Sequence, residues 1–456
     1  MFRSLLIANR GEVAVRVARA CRELGVRAVG IASQADLGAS WVEGLDEVVC
    51  VGPSAPRDSY LRTDRIVQAA VQTGCTAVHP GWGFLAENSG FAALCAQHGL
   101  SFVGPRPRTM EELGLKIPAK RAMSAAGLDG IPGSDGLLSS VEEARALCEE
   151  IGYPVILKAD AGGGGRGMRR CHSAEELDAA WSQASAEALA AFGNGALYLE
   201  KYVSGGRHIE VQVLADGFGH AIHLGDRECS IQRNHQKLIE ESPSPALSAE
   251  QRARLGERAA AAAASIGYTG AGTVEFLRAP DGELYFMEMN ARLQVEHPVT
   301  EEVSGIDLVQ WQLRIAANER LSLTQDDVSL SGASIECRIN AEDPAQDFRP
   351  TPGKLTAFEL PAQAGPGRVR VDTHLTAGDE VPPYYDSLLA KVIVHGESRP
   401  QAIATMLECL RAARVEGVAT TIPLHLAVLE SEAFASGDYD TASLPGWDSR
   451  GVGATP

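Results

Sequence analysis

MEMNARLQVEHPVTE, residues 287–301, sets Glu288, Asn290, Arg292, Gln294 and Glu296 at alternate positions, and an extended chain puts all five on one side. Just upstream, GAGTVEF (270–276) and the turn Ala279-Pro280-Asp281-Gly282 predict a hairpin over 272–290. Pairing Arg278 with Glu283 places Glu275 opposite Phe286 and diagonal to Glu288, so both carboxylates and Asn290 share a face. Two neighbouring acids repel unless a cation or proton lies between them, and oxygen ligands of this kind suit Mg²⁺. Arg292 a few residues from Glu296 could clamp a small oxyanion while the carboxylate takes its proton. A solvated acidic sheet face and a surface ion pair explain the same residues, and taken alone both readings stay open.

Working outward, residues 4–8 and 26–32 are apolar runs flanking a helical pattern over 12–24, with further strands at 77–78 and 102–103. Strands alternating with helices up to about residue 114 predict a parallel α/β domain. Its first turn, Asn9-Arg10-Gly11-Glu12, lacks G-x-G-x-x-G, so a dinucleotide site is not expected there. Residues 121–150 read as helical apart from the turn at 133–136. Strands follow at 153–158 and 197–203 around an Ala-rich helix at 173–192, together a small inserted unit carrying the glycine stretch 162–167. Residues 208–215 alternate as an antiparallel strand does, and 252–266 is a helix. A third region, about 331–446, mixes strands at 334–339 and 391–395 with a helix at 401–414.

The 456 residues suffice for about three domains. Forty-one Lys and Arg against 59 Asp and Glu give a net charge of −18, which argues against nucleic acid or an anionic membrane as partner. A small anionic substrate fits if basic residues gather locally. Met1–Asn9 is too poor in apolar residues for a signal peptide, and no apolar run nears the ~20 residues that cross a bilayer. Nine scattered cysteines without a C-x-x-C pair read as reduced thiols, so a cytoplasmic protein is expected.

Only seven lysines occur (116, 120, 158, 201, 237, 354 and 391), each a candidate for a compact point charge on a phosphate. Lys158 ends a strand before the glycine stretch, whose backbone N–H groups could cradle phosphates. No Gly-Lys-Ser/Thr follows, so it is not a Walker A loop, and a plain flexible loop is the alternative. DRECSIQRNHQK (226–237) gathers Arg227, Arg233, His235 and Lys237 into a local electropositive patch suited to phosphate or bicarbonate, or into a solvated charged loop. The histidines have no metal-ligand spacing, so a catalytic zinc is not expected.

Together these segments resemble biotin carboxylase, an ATP-grasp enzyme family. The likeness covers nearly the whole chain: ANRGEVAVRV (8–17), HPGWGFLAEN (79–88), FVGP (102–105), KADAGGGGRGMR (158–169), EKYV (200–203), RHIEVQVLAD (207–216), the 226–237 and 270–276 segments, MEMNARLQVEHPVTE, ECRINAEDP (336–344), PTPGKL (350–355) and PPYYDSLLAKVI (382–393). It implies an α/β and α+β fold with an N-terminal Rossmann-like domain (1–114), an ATP-grasp domain (115–330) with a mobile lid at about 131–203, a C-terminal domain (331–446) and a tail (447–456).

By motif, the resemblance implies an ATP site at Lys116, Lys158, Gly163, Gly164, Gly165, Met168, Glu200, Lys201, Tyr202, Val203, His208, Gln232, His235 and Leu277, with His208 near the ribose. It implies Mg²⁺ or Mn²⁺ ligands at Glu275, Glu288 and Asn290. A bicarbonate pocket is implied at Lys237, Arg292, Gln294, Val295 and Glu296, and Arg338 would face the biotin ureido oxygen. Lys237, Arg292, Glu296 and Arg338 form the implied catalytic set. The implied substrates are ATP, bicarbonate and biotin on a carrier, since no lysine lies between two methionines; the alternative is that the chain is the front part of a longer polypeptide. Implied partners are a biotin carboxyl carrier protein, carboxyltransferase subunits and a second copy in a homodimer. Acetyl-CoA is the simplest acceptor, with propionyl-CoA, methylcrotonyl-CoA, pyruvate or urea as alternatives. Another ATP-grasp ligase making an acyl phosphate would lack a use for EHPVTE and Arg338, and a nucleotide-binding scaffold without turnover would not need Lys237, Glu275, Glu288, Arg292, Glu296 and Arg338 intact. The chain departs from the family at Gly114-Leu115-Lys116, commonly Gly-Asp-Lys, and at Ala419-Thr420-Thr421, often Lys-Thr-Asn.

Overall fold

Strands β1 (Ser4–Ile7), β2 (Arg27–Ser33), β3 (Glu47–Gly52), β4 (Ala77–His79) and β5 (Ser101–Phe102) form a parallel sheet in the order β3-β2-β1-β4-β5. Every residue of β1 is buried, as its unbroken apolar run requires in a sheet covered on both faces. Helix α1 (Gly11–Glu23) packs Val13, Val17 and Ala20 into the core shared with Leu5 and Ile7. Gly11 has φ +66°, and a Cβ there would meet the His374 ring at 3.4 Å, so the turn into α1 needs glycine. The computed structural model describes residues 1–160 and 167–447; the expected flap residues Gly163, Gly164 and Gly165 and the tail beyond 447 lie outside them.

The inserted unit is a three-stranded antiparallel sheet, β6 (Val155–Ala159), β7 (Met168–Cys171) and β8 (Leu197–Lys201), in the order β7-β6-β8. Helices Val141–Ile151 and Ala174–Phe192 supply its core with Ala144, Cys148 and Leu177. The helical reading of 121–150 on either side of the turn at 133–136 holds only at its ends: one helix stops at Ala125 and the next begins at Val141, so the break is wider than that turn. The segment between is extended, with bridges from Gly130 to Phe286 and from Gly133 to Glu200. A Cβ at Gly133 would sit 2.1 Å from the Leu199 carbonyl oxygen, so the glycines that interrupt the helical pattern let this segment lie against β8.

The largest sheet has eight antiparallel strands. Strands β9 (Arg207–Ala215), β10 (Ala221–Arg233), β11 (Gln236–Ser242), β12 (Gly270–Arg278), β13 (Leu284–Asn290) and β14 (Ala333–Asn340) run in the order β13-β12-β9-β10-β11-β14, then Leu388–Gly396 and Arg368–Thr373. The sheet thus continues through residue 330, with Glu240 of β11 opposite Glu336 of β14. In β9 the alternation separates Ile209, Val211 and Val213, packed beneath the helix Ala249–Ser265, from His208, Glu210 and Gln212. That polar face is buried too, and it is where the site is built.

Candidate functional site

The β12–β13 hairpin turns one residue later than the sequence suggests. Ala279 N–H donates to the Glu283 carbonyl, so Arg278 pairs with Leu284. A bulge at Met287 then places Glu275 directly opposite Glu288, where the regular register put Phe286. Glu288 is ion-paired with Lys116. The two facing carboxylates and the neighbouring Asn290 amide form an oxygen donor set that fits Mg²⁺. Other acid clusters are already neutralised: His208, Glu210 and Glu275, and Glu210, Cys229 and Glu296, bring ligand atoms within 4.8 Å of one another. Lys237 sits among both.

Lys237 follows the turn Asn234-His235, whose φ values of +48° and +65° are those of a tight two-residue hairpin. Its Nζ donates to Glu210 Oε2 at 2.5 Å, Glu296 Oε1 at 2.6 Å and Glu275 Oε1 at 3.0 Å. Burial alone would lower its pKa, but the three carboxylates hold it well above the ordinary lysine value. Burial pushes Glu275 and Glu296 up, and their cationic neighbours overcome it. Lys237 and His208 hold Glu275 well below the usual carboxylate range; Lys237, Arg338 and Arg227 do the same for Glu296. Both are therefore ionised at neutral pH. Arg338 Nη2 lies 2.9 Å from Glu296 Oε2 and 2.5 Å from Glu240 Oε1. The Arg338 carbonyl accepts from Thr421 Oγ1 at 2.8 Å, and His425 Nε2 lies 2.7 Å from it, so the departure at Ala419-Thr420-Thr421 still anchors the strand bearing Arg338.

The expected run of five side chains along one extended edge does not occur, because β13 ends at Asn290 and Glu296 already caps the helix His297–Ser304. The turn between them brings the same groups together. Arg292 donates to Asn290 Oδ1 at 3.1 Å and Gln294 Oε1 at 2.9 Å, while Asn290 and Gln294 donate to Glu275 Oε1 at 2.8 and 2.9 Å. Val295 is buried beside them.

A second cluster lies on the inserted unit. Glu200 accepts from Lys158 Nζ at 2.5 Å and Lys120 Nζ at 2.8 Å. Met168 pairs with Lys158 across β6–β7. Lys201 turns its amine to the carbonyls of Gly152 and Tyr153, and Arg170 lies 4.7 Å over the Tyr202 ring. The N–H groups of Lys201 and Tyr202 are taken by the Pro132 and Pro154 carbonyls; Val203 is the next residue along. His208 Nε2 lies 3.1 Å from Glu275 Oε2, and Leu277 pairs with His208 on the neighbouring strand. Gln232 pairs with Lys237, and His235 at the hairpin tip has its pKa lowered by burial and by the nearby charges of Lys158 and Arg170. Lys116 stands between the clusters: burial lowers its pKa, and Glu275 on one side and Lys158 on the other act on it.

Arg227 is not part of a surface patch. It is wholly buried and donates to Glu210 at 2.5 Å, Gln212 at 2.7 Å, Thr300 at 3.0 Å and Thr273 at 3.1 Å. Sequence reasoning also missed Glu210, Glu240 and Glu87, the last accepting from Arg292 Nε at 2.9 Å, and gave Lys120 no role beyond its place among the lysines. Glu210 shares the alternating polar face of β9 with His208, and Lys120 is among the seven lysines, so both carried a signal. Chemically, the site offers a buried anion, Glu296, between two cations, beside paired oxygen donors and a lysine-lined approach.

The chain matches three family descriptions: "Biotin carboxylase, N-terminal domain" over residues 1–110, "Carbamoyl-phosphate synthase L chain, ATP binding domain" over 116–324 and "Biotin carboxylase C-terminal domain" over 336–445. It is 51% identical to Biotin carboxylase 1 of Bacillus subtilis, covering 99% of this chain and 100% of that one. A Campylobacter jejuni biotin carboxylase–β,γ-ATP complex superposes with a TM-score of 0.93 at 46% identity, covering 97% and 98% of the two chains. The biotin carboxylase domain dimer of Hydrogenobacter thermophilus 2-oxoglutarate carboxylase, solved with MgADP, ADP and bicarbonate, superposes at 0.92 with 48% identity and 97% and 96% coverage.

Proposed function

Because the chain belongs to the biotin carboxylase family, we propose that it carboxylates biotin on a separate carrier protein, using bicarbonate and ATP and releasing ADP and phosphate. The observation that carries the reading is the Glu296 carboxylate held ionised between Lys237 and Arg338.

Bicarbonate is a poor electrophile and a weak nucleophile until it loses its proton. Arg292, Gln294 and the Val295–Glu296 turn hold it, and Glu296 accepts that proton. Its low proton affinity rises as an incoming anion draws Lys237 away, so the base strengthens when substrate arrives. Lys237 turns to the γ-phosphoryl oxygens as the carbonate attacks, and Lys116 and Lys158 hold the remaining phosphate charge. Glu275, Glu288 and Asn290 would hold Mg²⁺, which would supply neutralisation of charge on the phosphoryl oxygens. Carboxyphosphate breaks down to CO₂ and phosphate, phosphate takes the proton from biotin N1, and Arg338 stabilises the enolate-like ureido oxygen. Lys201 and Tyr202 have spent their N–H groups, so the backbone donor to the nucleotide base is that of Val203.

The proposed partners are a biotin carboxyl carrier protein, carboxyltransferase subunits and a second copy of the chain, in the cytoplasm. No helix among the described residues is long and apolar enough to cross a membrane. The proposed chain divisions are 1–114, 115–330 with its lid, and 331–446. The proposed acceptor is acetyl-CoA. The test is ADP release by the purified chain with MgATP, with bicarbonate and free biotin added separately and together. Release that needs bicarbonate and rises with biotin supports the reading; release indifferent to bicarbonate overturns it.

A further inference from the structure

Lys391 is fully buried and has no part in the reaction described above. It lies on the strand Leu388–Gly396 in register with Arg338. Its Nζ is 2.8 Å from Glu12 Oε1 of α1 and donates at 3.0 Å to the carbonyl of Val295; Asp372 Oδ2 is 3.8 Å away. A desolvated ammonium needs such partners, and Glu12 is equally buried. One amine thereby ties the first helix, the C-terminal strand and the turn between Gln294 and Glu296.

The consequence follows from peptide geometry. The Val295–Glu296 peptide is trans, so its N–H points opposite its C=O. Anchoring the Val295 carbonyl on Lys391 directs the Glu296 N–H away from the buried ammonium. One residue earlier, His297 Nδ1 donates to the Gln294 carbonyl at 2.8 Å and turns the Val295 N–H away from its ring in the same manner. His297 can do so as a neutral ring, since burial and the nearby Lys391, Arg16 and Arg370 charges keep its pKa well below the ordinary value.

We propose that Lys391 is a positioning residue for bicarbonate: through the Val295 carbonyl it orients the turn that presents Gln294, two backbone N–H groups and the Glu296 carboxylate, with Glu12 as the counter-ion holding the amine in place. The proposal rests on reading that turn as the bicarbonate pocket. Lys391 has no contact with Lys116, Lys120, Lys158 or Glu200 among the described residues, so its effect falls on bicarbonate and not on the nucleotide.

The test compares the full chain with Lys391→Met, Glu12→Gln and the double variant, which removes both members of the Lys391–Glu12 ion pair. ADP release gives the KM for bicarbonate and for MgATP, and a thermal melt reports folding. A positioning role raises the bicarbonate KM by about tenfold to a hundredfold in Lys391→Met and the double variant, with the MgATP KM within about twofold, because a displacement of about 1 Å in a positioned group costs that much. Glu12→Gln, which keeps the amine and its donation, gives a smaller rise. If Lys391→Met alone fails to fold, the double variant decides. An unchanged bicarbonate KM, or equal rises in both KM values, overturns the proposal. Loss of bicarbonate dependence in the unsubstituted chain would instead sink the functional reading, so the two failures are distinct.

Discussion

Glu275 and Glu288 face each other across β12 and β13, yet their partners lie on opposite sides: Lys237 and His208 beside Glu275, Lys116 beside Glu288. Glu275 is locked into the buried network, whereas Glu288 is about one-third exposed and has a single cationic partner among the described residues. Glu288 is thus the carboxylate free to change partner when a cation enters.

Glu288→Gln is accordingly expected to raise the free Mg²⁺ needed for half-maximal ADP release by about tenfold or more, as losing one charged ligand from an oxygen site does. Titrating Mg²⁺ into the chelated enzyme checks this; an unchanged requirement would place the metal elsewhere.

Arg338→Ala removes the group assigned to the ureido oxygen but leaves Lys237 and the nucleotide cluster untouched. Biotin-stimulated turnover is expected to fall by about a hundredfold, the scale seen when an oxyanion donor is lost. Bicarbonate-dependent ADP release in the absence of biotin should persist. Parallel loss of both activities would contradict the division of labour.

Lys120→Met leaves Glu200 with Lys158 as its one cationic partner among the described residues. A buried acid with two cations reduced to one draws Lys158 more firmly to itself and away from phosphate. The MgATP KM should rise by about tenfold while the bicarbonate KM stays put, the reverse of the pattern expected at Lys391.

Arg227→Met breaks four hydrogen bonds and leaves Glu210 buried with Lys237 alone. Removing one partner of a fully buried ion pair costs about 3–5 kcal/mol. Urea unfolding of the two chains measures it, and a cost under about 1 kcal/mol would mean the network is dispensable.

Glu240 has its pKa pushed up to about 7, first by burial, with Arg338 pulling it back and Glu296 adding to the rise. A carboxyl raised in the folded state favours folding below the ordinary carboxylate range, and that contribution is lost as pH climbs through about 7. Glu275 and Glu296 act with the opposite sign, losing their contribution as pH falls below the usual range. The unsubstituted chain minus Glu240→Gln isolates the first effect: a stability difference shrinking by about 2–3 kcal/mol between pH 5 and pH 8. A pH-independent difference would contradict it.

Local pattern carried most elements into the sequence reading, because β1, β9 and the helix 174–192 each have an unambiguous period. The break in the helical pattern of 121–150 was legible at the turn 133–136 but not its full width from 126 to 140, because there the chain bridges to Phe286 and to Glu200 of β8, contacts no local pattern encodes. The bulge at Met287 escaped for a related reason: the turn's one-residue shift and the one residue added by the bulge together move Glu275 from Phe286 to Glu288, and their cause lies in the pairing of both strands. The motif positions around Glu275 and Glu296 were legible. Glu240 and the burial of Arg227 were not, since a charged residue in a strand reads as solvent-facing until its neighbours are known.

The eight-stranded sheet has a mechanical corollary. Lys237 of β11 and Arg338 of β14 ride on adjacent strands, so the groups proposed for phosphoryl chemistry and for carboxyl transfer are ruled off in strand spacings of about 4.8 Å. No hinge can open between them without unzipping the ladder from Ile239–Cys337 to Ser242–Ser334. A chain cut before residue 333 would leave β11 as a raw edge, ready to recruit a foreign strand. Whatever moves during turnover must therefore be carried by other parts of the molecule, and the two halves of the reaction stay at a constant gauge.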